Sequence, residues 1–207
     1  MRWATDRGLD IWAIEREAQS PEEYAETWIR DGGTKAGPDF DRLYVAWLDD
    51  FEARGVTSVG FGYLTARRPM GSPTLRRLER LDGPVAVGLG DRIEASLAAH
   101  DALQTLDDTA LGTRHLTVAP DVTVERHYWP GDDDPTAMTL RQGGGFQRSE
   151  PIGTALAALV GACDGELSVR SIVAALADLL EVDELALAEE LLPGIRSLVL
   201  DGLLVLT

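Results

Sequence analysis

FDRLYVAWLDDFEARGVTSVGFGYLTARRPMGSPTLRRLERL, Phe40 to Leu81, is the stretch whose reading decides the fold. Phe40, Leu43, Tyr44, Trp47, Leu48 and Phe51 recur at helical spacing on one stripe, while Asp41, Arg42, Asp49, Asp50 and Glu52 take the other side. Asp39 stands where a cap is wanted and Gly55 where a left-handed stop is wanted. An extended run follows from Val56 to Ala66, then a turn from Pro69 to Pro73, then a looser alternation from Thr74 to Leu81. The unit reads helix, strand, turn, strand. A helix feeding a strand marks an α/β sheet, and a strand returning through a short turn adds an antiparallel member.

Upstream, Asp10 to Ile14 is a compact apolar run that fits a buried strand. Ser20-Pro21-Glu22-Glu23 is a capping box with proline at the first helical position, and Tyr24, Trp28 and Ile29 follow before Gly32-Gly33. Downstream of the turn at Leu81 to Pro84, Asp91 and Glu94 are placed to cap a helix with Ile93, Leu97, Leu103 and Leu106 inward. His115 to Ala119, Val122 to Trp129 and Thr136 to Arg141 read as short strands, and Gly143-Gly-Gly145 closes that block. From Pro151 the chain turns helical. Leu156, Leu159, Val160 and Cys163 line a first helix, Ser168 caps a second and Asp183 a third, which Pro193-Gly194 should kink or split. Leu203 to Leu206 forms a terminal strand. Three short helices and a strand match the outline of a winged helix-turn-helix. The fold class is therefore α/β, about three strands with helices, followed by an α+β winged-helix-like domain. The expected divisions are 1–90, a connecting 91–145, and 146–207.

Composition narrows the function. Of 207 residues, 44% are hydrophobic and 26% charged, so a packed core is expected. The formal net charge of -16 repels phosphate backbones and makes nucleic acid a poor partner. From Pro151 onward Arg170 and Arg196 are outnumbered by Asp164, Glu166, Asp178, Glu181, Asp183, Glu184, Glu189, Glu190 and Asp201. That segment suits protein–protein or interdomain docking better than DNA. Cys163 is the one cysteine, so no intrachain disulfide and no cysteine-based zinc site can form, which points to the cytoplasm. Met1 to Gly8 carries no apolar signal-type core, and the longest nearly apolar run, Ile152 to Cys163, is too short to span a bilayer.

The candidate constellations are thin. Gly143-Gly-Gly145 lacks the strand-loop-helix setting and the Lys-Ser/Thr pair of a phosphate cradle and reads as a hinge. His115, His127 and Asp132-Asp133-Asp134 have no metal-ligand spacing. His100 and Asp101 point apart on a helix, and no nucleophile elbow is present. Cys163 reads as an inert core thiol. Arg67, Arg68, Arg76, Arg77 and Arg80 form a basic island, either a solvated strand face or a substrate-side patch. Tyr128 and Trp129 are candidate aromatic anchors for a partner, or core. No catalytic residue and no metal ligand is assigned.

Pro21-Glu-Glu-Tyr-Ala-Glu-Thr-Trp-Ile-Arg-Asp31, the Phe51-Glu-Ala-Arg-Gly-Val56 helix end, Gly60-Phe-Gly-Tyr63, Glu125-Arg-His-Tyr128 and Leu140-Arg-Gln-Gly-Gly-Gly145 resemble one family. They look like the carboxy-terminal half of large actinobacterial class I methyltransferases that use S-adenosylmethionine, relatives of the release-factor glutamine methyltransferases. The resemblance covers nearly the whole chain, through family texture rather than catalytic motifs. The chain holds no asparagine, so the family's Asn-Pro-Pro-Tyr motif is missing, and no Gly-rich loop joins an early strand to a helix.

The resemblance implies that Ile11 to Glu15 is the fifth strand of that sheet, Val59 to Arg67 the sixth and Thr74 to Leu81 the seventh. The cofactor-binding half would lie upstream of Met1. The chain is then expected to be a carboxy-terminal fragment that positions substrate and packs domains, with S-adenosylmethionine bound by the intact enzyme and no cofactor bound here. Arg16, Glu17, Arg67, Arg68 and Met70 become the substrate-contact candidates. The expected partners are the missing amino-terminal part, a protein substrate, and a second copy paired through the exposed strand Ile11–Glu15. That strand would otherwise be covered by the amino-terminal residues or frayed. The alternatives are a stand-alone interaction or adaptor module and, more weakly, a nucleic-acid-binding winged helix.

Overall fold

The computed structural model describes residues 6–207 and divides into two compact units, Met1–Asp82 and Gly83–Thr207. The described residues are mixed α/β, with seven helices and three small sheets.

The first unit is built on strand β1 (Asp10–Gln19), helices α1 (Pro21–Asp31) and α2 (Pro38–Ala53), and strands β2 (Val59–Arg67) and β3 (Arg76–Arg80). Ser20 caps α1 through a complete capping box with Glu23. α2 opens differently from its sequence reading. Gly37 is its N-cap and Pro38 takes the first helical position, so Asp39 falls inside the first turn and pairs with Arg42. Gly55 supplies the left-handed stop at φ +65°.

The sheet order is β2-β1-β3, with β1 antiparallel to β2 and parallel to β3. This corrects two expectations. β2 and β3 do not form a hairpin; each flanks β1. Ile11–Glu15 is also not an exposed edge, because its two sides are taken by Ala66–Gly62 and by Arg76–Arg80. A second copy therefore finds no open backbone edge on that strand. Residues 1–5, which an amino-terminal cover would involve, lie outside the described residues. The physical reason for the strand order sits at Asp10. Its carboxylate accepts the backbone N–H groups of Thr74 and Leu75, each at 2.9 Å, and pulls the connection after β2 across the start of β1.

One face of this sheet carries Trp12, Ile14 and Phe61 and is covered by the helices. The Tyr24 ring of α1 lies 5.8 Å from Phe61, and Trp47 and Phe51 of α2 pack on Tyr24 at 5.8 and 5.9 Å. Strand alternation sends Ile11, Ala13, Gly62, Leu64, Ala66 and Leu78 to the opposite face, where Ile11 is buried and Leu64 and Leu78 are exposed.

The second unit comprises α3 (Leu89–Gln104), α4 (Asp108–Gly112), β4 (His115–Val118), β5 (Val122–His127), β6 (Ala137–Gln142), β7 (Ser149–Ile152), α5 (Thr154–Gly161), β8 (Asp164–Ser168), α6 (Val169–Leu180), α7 (Glu184–Leu200) and β9 (Leu204–Leu206). β5, β6 and β7 make an antiparallel meander, and β4 runs antiparallel between β8 and β9. β7 and β8 were not legible in the sequence. Residues 91–145 and 146–207 do not separate: Leu116 of β4 and Leu140 of β6 share one core with Leu159, Ile172, Leu191, Ile195 and Leu203. Each fully buried leucine contributes roughly 2 kcal/mol.

Ser168 and Asp183 cap α6 and α7 as their positions imply. α3 is not capped by Asp91 or Glu94; Gly88, at φ +80°, is its N-cap. α7 runs unsplit through Pro193. Leu191 and Ile195 are buried on either side of the missing N–H, and Gly194 seats so close to Leu156 that a Cβ would come within 2.9 Å of its Cδ2. No helix among the described residues is long and apolar enough to cross a membrane.

Candidate functional site

The site residues expected from sequence fall into separate places. Arg67 faces Asp10 at one end of the β1–β2 ladder, whereas Glu17 faces Phe61 near the other. β1 also continues to Gln19, so Arg16 and Glu17 lie within the strand, at a bulge between Glu15 and Glu17, rather than after it. Antiparallel pairing sets the end of one strand beside the start of the next. Arg16 and Glu17 are thus some six residues, about 20 Å, along the strand from Arg67. Glu17 is exposed and accepts a bond from Gln19.

The arginine island is mostly committed to structure. Arg67 donates Nε to Asp10 Oδ2 at 3.1 Å, over a carboxylate that is 1% exposed. Burial raises the Asp10 pKa; the N–H groups of Leu75 and Thr74, followed by Arg67, outweigh it and hold the carboxyl below its ordinary value. Arg77 pairs with Glu79 at 2.9 Å and lies over the Trp12 ring, while the Trp12 indole donates to Glu79 at 2.6 Å. Arg76 donates to the carbonyls of Leu9 and Leu75, and Arg80 pairs with Asp82 and Glu15. Arg68 has no hydrogen-bond or ion-pair partner among the described residues, and Met70 in the same loop is fully exposed. Of the candidates, Arg68 and Met70 are the pair placed to meet something outside the unit.

Beside them lies the other face of the sheet, buried at Ile11 and open at Leu64 and Leu78. Ala13, Leu64 and Leu78 form one row across three strands, with Leu64 59% and Leu78 67% exposed. Arg76 and Arg80 flank Leu78 on the same face. A shallow depression of about 600 Å³ runs over this region. Gly62 fits there because the backbones nearly touch: a Cβ would sit 1.9 Å from the Ile14 carbonyl oxygen.

In the second unit, Gly143-Gly-Gly145 is a packed knot rather than a hinge. The Gly143 and Gly144 N–H groups donate to Asp121, through its carbonyl and its Oδ2, and that of Gly145 donates to Val87. Arg92 clamps the same carboxylate at 2.7 Å and also donates to the Gly202 carbonyl. Burial raises the Asp121 pKa; the Gly144 N–H and the Arg92 guanidinium outweigh it and lower the result. The knot's amides are therefore spent internally and not aimed at an anion. Arg148 and Asp201, 4% and 3% exposed, form a buried pair at 3.5 Å. Sequence reading missed Asp10, Asp121 and Asp201, since an acid beside a turn carries no sign that it will be buried.

Cys163 is buried, and burial, aided by Asp164, raises its thiol to about 11. His115 bonds the Gly165 carbonyl, and no group of three metal-ligating side chains comes together among the described residues. Tyr128 and Trp129, 47% and 66% exposed, follow β5 at the start of the β5–β6 connection and are not core.

The fold and these placements define a two-unit α/β protein with packing surfaces. The chain belongs to the family described as Domain of unknown function (DUF7782), whose model matches residues 94–206, most of the second unit. Comparison with curated proteins gives no match.

Proposed function

We propose that this chain is the carboxy-terminal part of an S-adenosylmethionine-dependent methyltransferase. It packs domains and positions substrate, while the methyl donor is held by another part of that enzyme. The observation that carries this reading is the uncovered sheet face. Sheets of α/β enzymes are sealed by helices on both sides. Here α1 and α2 cover one side around Phe61, and on the other side Leu64 and Leu78 are apolar and exposed beside a half-buried Ala13. Such a face is a docking surface for a further layer. Arg68 and Met70, in the loop after β2, are then available to a substrate, a protein being one the resemblance suggests, and the acidic second unit is a winged-helix-like accessory module. The setting is the cytoplasm.

The placement of β1 between β2 and β3 favours a second reading, a stand-alone adaptor module, because a sheet with its central strand paired on both sides needs no added strand. Two measurements separate the readings. The coding sequence upstream of Met1 is expected to continue in frame into an Asn-Pro-Pro-Tyr motif. Calorimetry of this chain with S-adenosylmethionine is expected to give no saturable heat. Micromolar binding by this chain alone, or an upstream stop codon, contradicts the methyltransferase reading.

A further inference from the structure

Helix α7 carries two apolar stripes. Leu187, Leu191, Ile195 and Leu198 are buried in the core of the second unit. Leu185, Ala188 and Leu192 form a second stripe at the spacing i, i+3, i+7, about two turns or 10 Å long. Leu185 is 74% exposed, while Ala188 and Leu192 are half-buried and pack in part against the core, so the stripe is the outer flank of the buried one. This stripe lines a groove of about 310 Å³ together with Val169 and Val173 of α6 and Thr109 and Gly112 of α4. Glu184 and Glu189 stand on its rim with no hydrogen-bond or ion-pair partner among the described residues. Arg170 is the nearby cation, since Arg196 is held by Asp108 at 2.7 Å.

We propose that this groove binds an amphipathic helix of a partner protein, with leucine-like residues in the groove and lysine or arginine along the flank facing Glu184 and Glu189. A helical ridge is what a groove beside another helix's i, i+3, i+7 stripe accepts. The rim charge selects the sign of the partner and repels nucleic acid. The proposal rests on the second unit alone and is independent of the methyltransferase reading.

The test uses the full chain and two amidated helical peptides of about 18 residues, long enough to hold a helix on binding. Both carry leucines at i, i+3, i+7; one is flanked by lysines and the other by glutamates. The lysine peptide is expected to bind saturably in calorimetry, with a dissociation constant on the order of 100 μM or tighter. The glutamate peptide, and the lysine peptide against the Glu184→Lys, Glu189→Lys chain, should bind at least about tenfold more weakly. Leu185→Asp, at an exposed position, should leave melting unchanged and also weaken binding about tenfold. No binding, equal binding of the two peptides, or indifference to Leu185→Asp overturns the proposal. So does concentration-dependent self-association that Leu185→Asp abolishes, because the occupant is then a second copy.

Discussion

Asp10 and Arg67 meet across the first rung of the β1–β2 ladder, 3.1 Å apart, with the other oxygen of the same carboxylate holding the backbone of Thr74 and Leu75. One side chain thus ties all three strands of the first unit together. Asp10→Ala leaves two backbone donors and a guanidinium without their acceptor, and should cost the unit about 3 kcal/mol in urea unfolding. Asp10→Asn keeps a neutral acceptor and should cost less. A loss below about 0.5 kcal/mol for the alanine variant would show that the tie is incidental.

The same carboxylate sets an acid dependence. Its folded pKa lies below the unfolded one, so its contribution is full above the ordinary carboxylate range and disappears as pH falls through the folded value. Asp121 behaves alike in the second unit. Thermal melts should hold level from neutrality down to about pH 5 as far as these two groups are concerned, then fall. The Asp10→Asn variant should lose part of that fall. An unchanged acid slope in Asp10→Asn would place the acid sensitivity elsewhere.

Gly62→Ala forces a methyl into the Ile14 carbonyl, a backbone atom with no rotamer to yield. The β1–β2 ladder must shift, at a cost of more than about 2 kcal/mol. Gly71→Ala, where nothing lies within 4 Å, is the control and should be nearly neutral. Equal effects from the two substitutions would refute the close approach.

Asp121→Ala tests whether the triple-glycine segment is a knot. Arg92 and the Gly144 N–H lose their shared acceptor, and the second unit should lose about 3 kcal/mol. A hinge would tolerate the change with little loss of stability.

Much of this architecture was legible, and the rest failed for identifiable reasons. The capping box at Ser20 and the caps at Ser168 and Asp183 are local chemistry, written in adjacent residues, and they stand. The Phe40–Phe51 stripe does form a helix face, though none of its residues is fully buried. The sheet order was not legible, because it depends on Asp10 reaching Thr74 and Leu75, a contact far apart in sequence. β7 and β8 were hidden for a similar reason: Ser149–Ile152 and Asp164–Ser168 have no alternating pattern and owe their strand geometry to partners in β6 and β4. The candidate site suffered from both effects. Arg16 and Arg67 look alike as arginines beside strands, and only the antiparallel register separates them.

Cys163 should resist alkylation in the native state. With its thiol raised to about 11, almost none is thiolate at pH 8, and the side chain is buried. Labelling should follow global unfolding, and rapid labelling under native conditions would mean that the α5–β8 connection opens locally.

The central claim is that the uncovered face over Ala13, Leu64 and Leu78 is sealed by another part of a larger methyltransferase. Mass spectrometry of the native polypeptide, identified through peptides of this chain, tests it most directly. The account predicts a polypeptide well above 22.4 kDa that also yields Asn-Pro-Pro-Tyr-containing peptides. A native polypeptide of 22.4 kDa would contradict it.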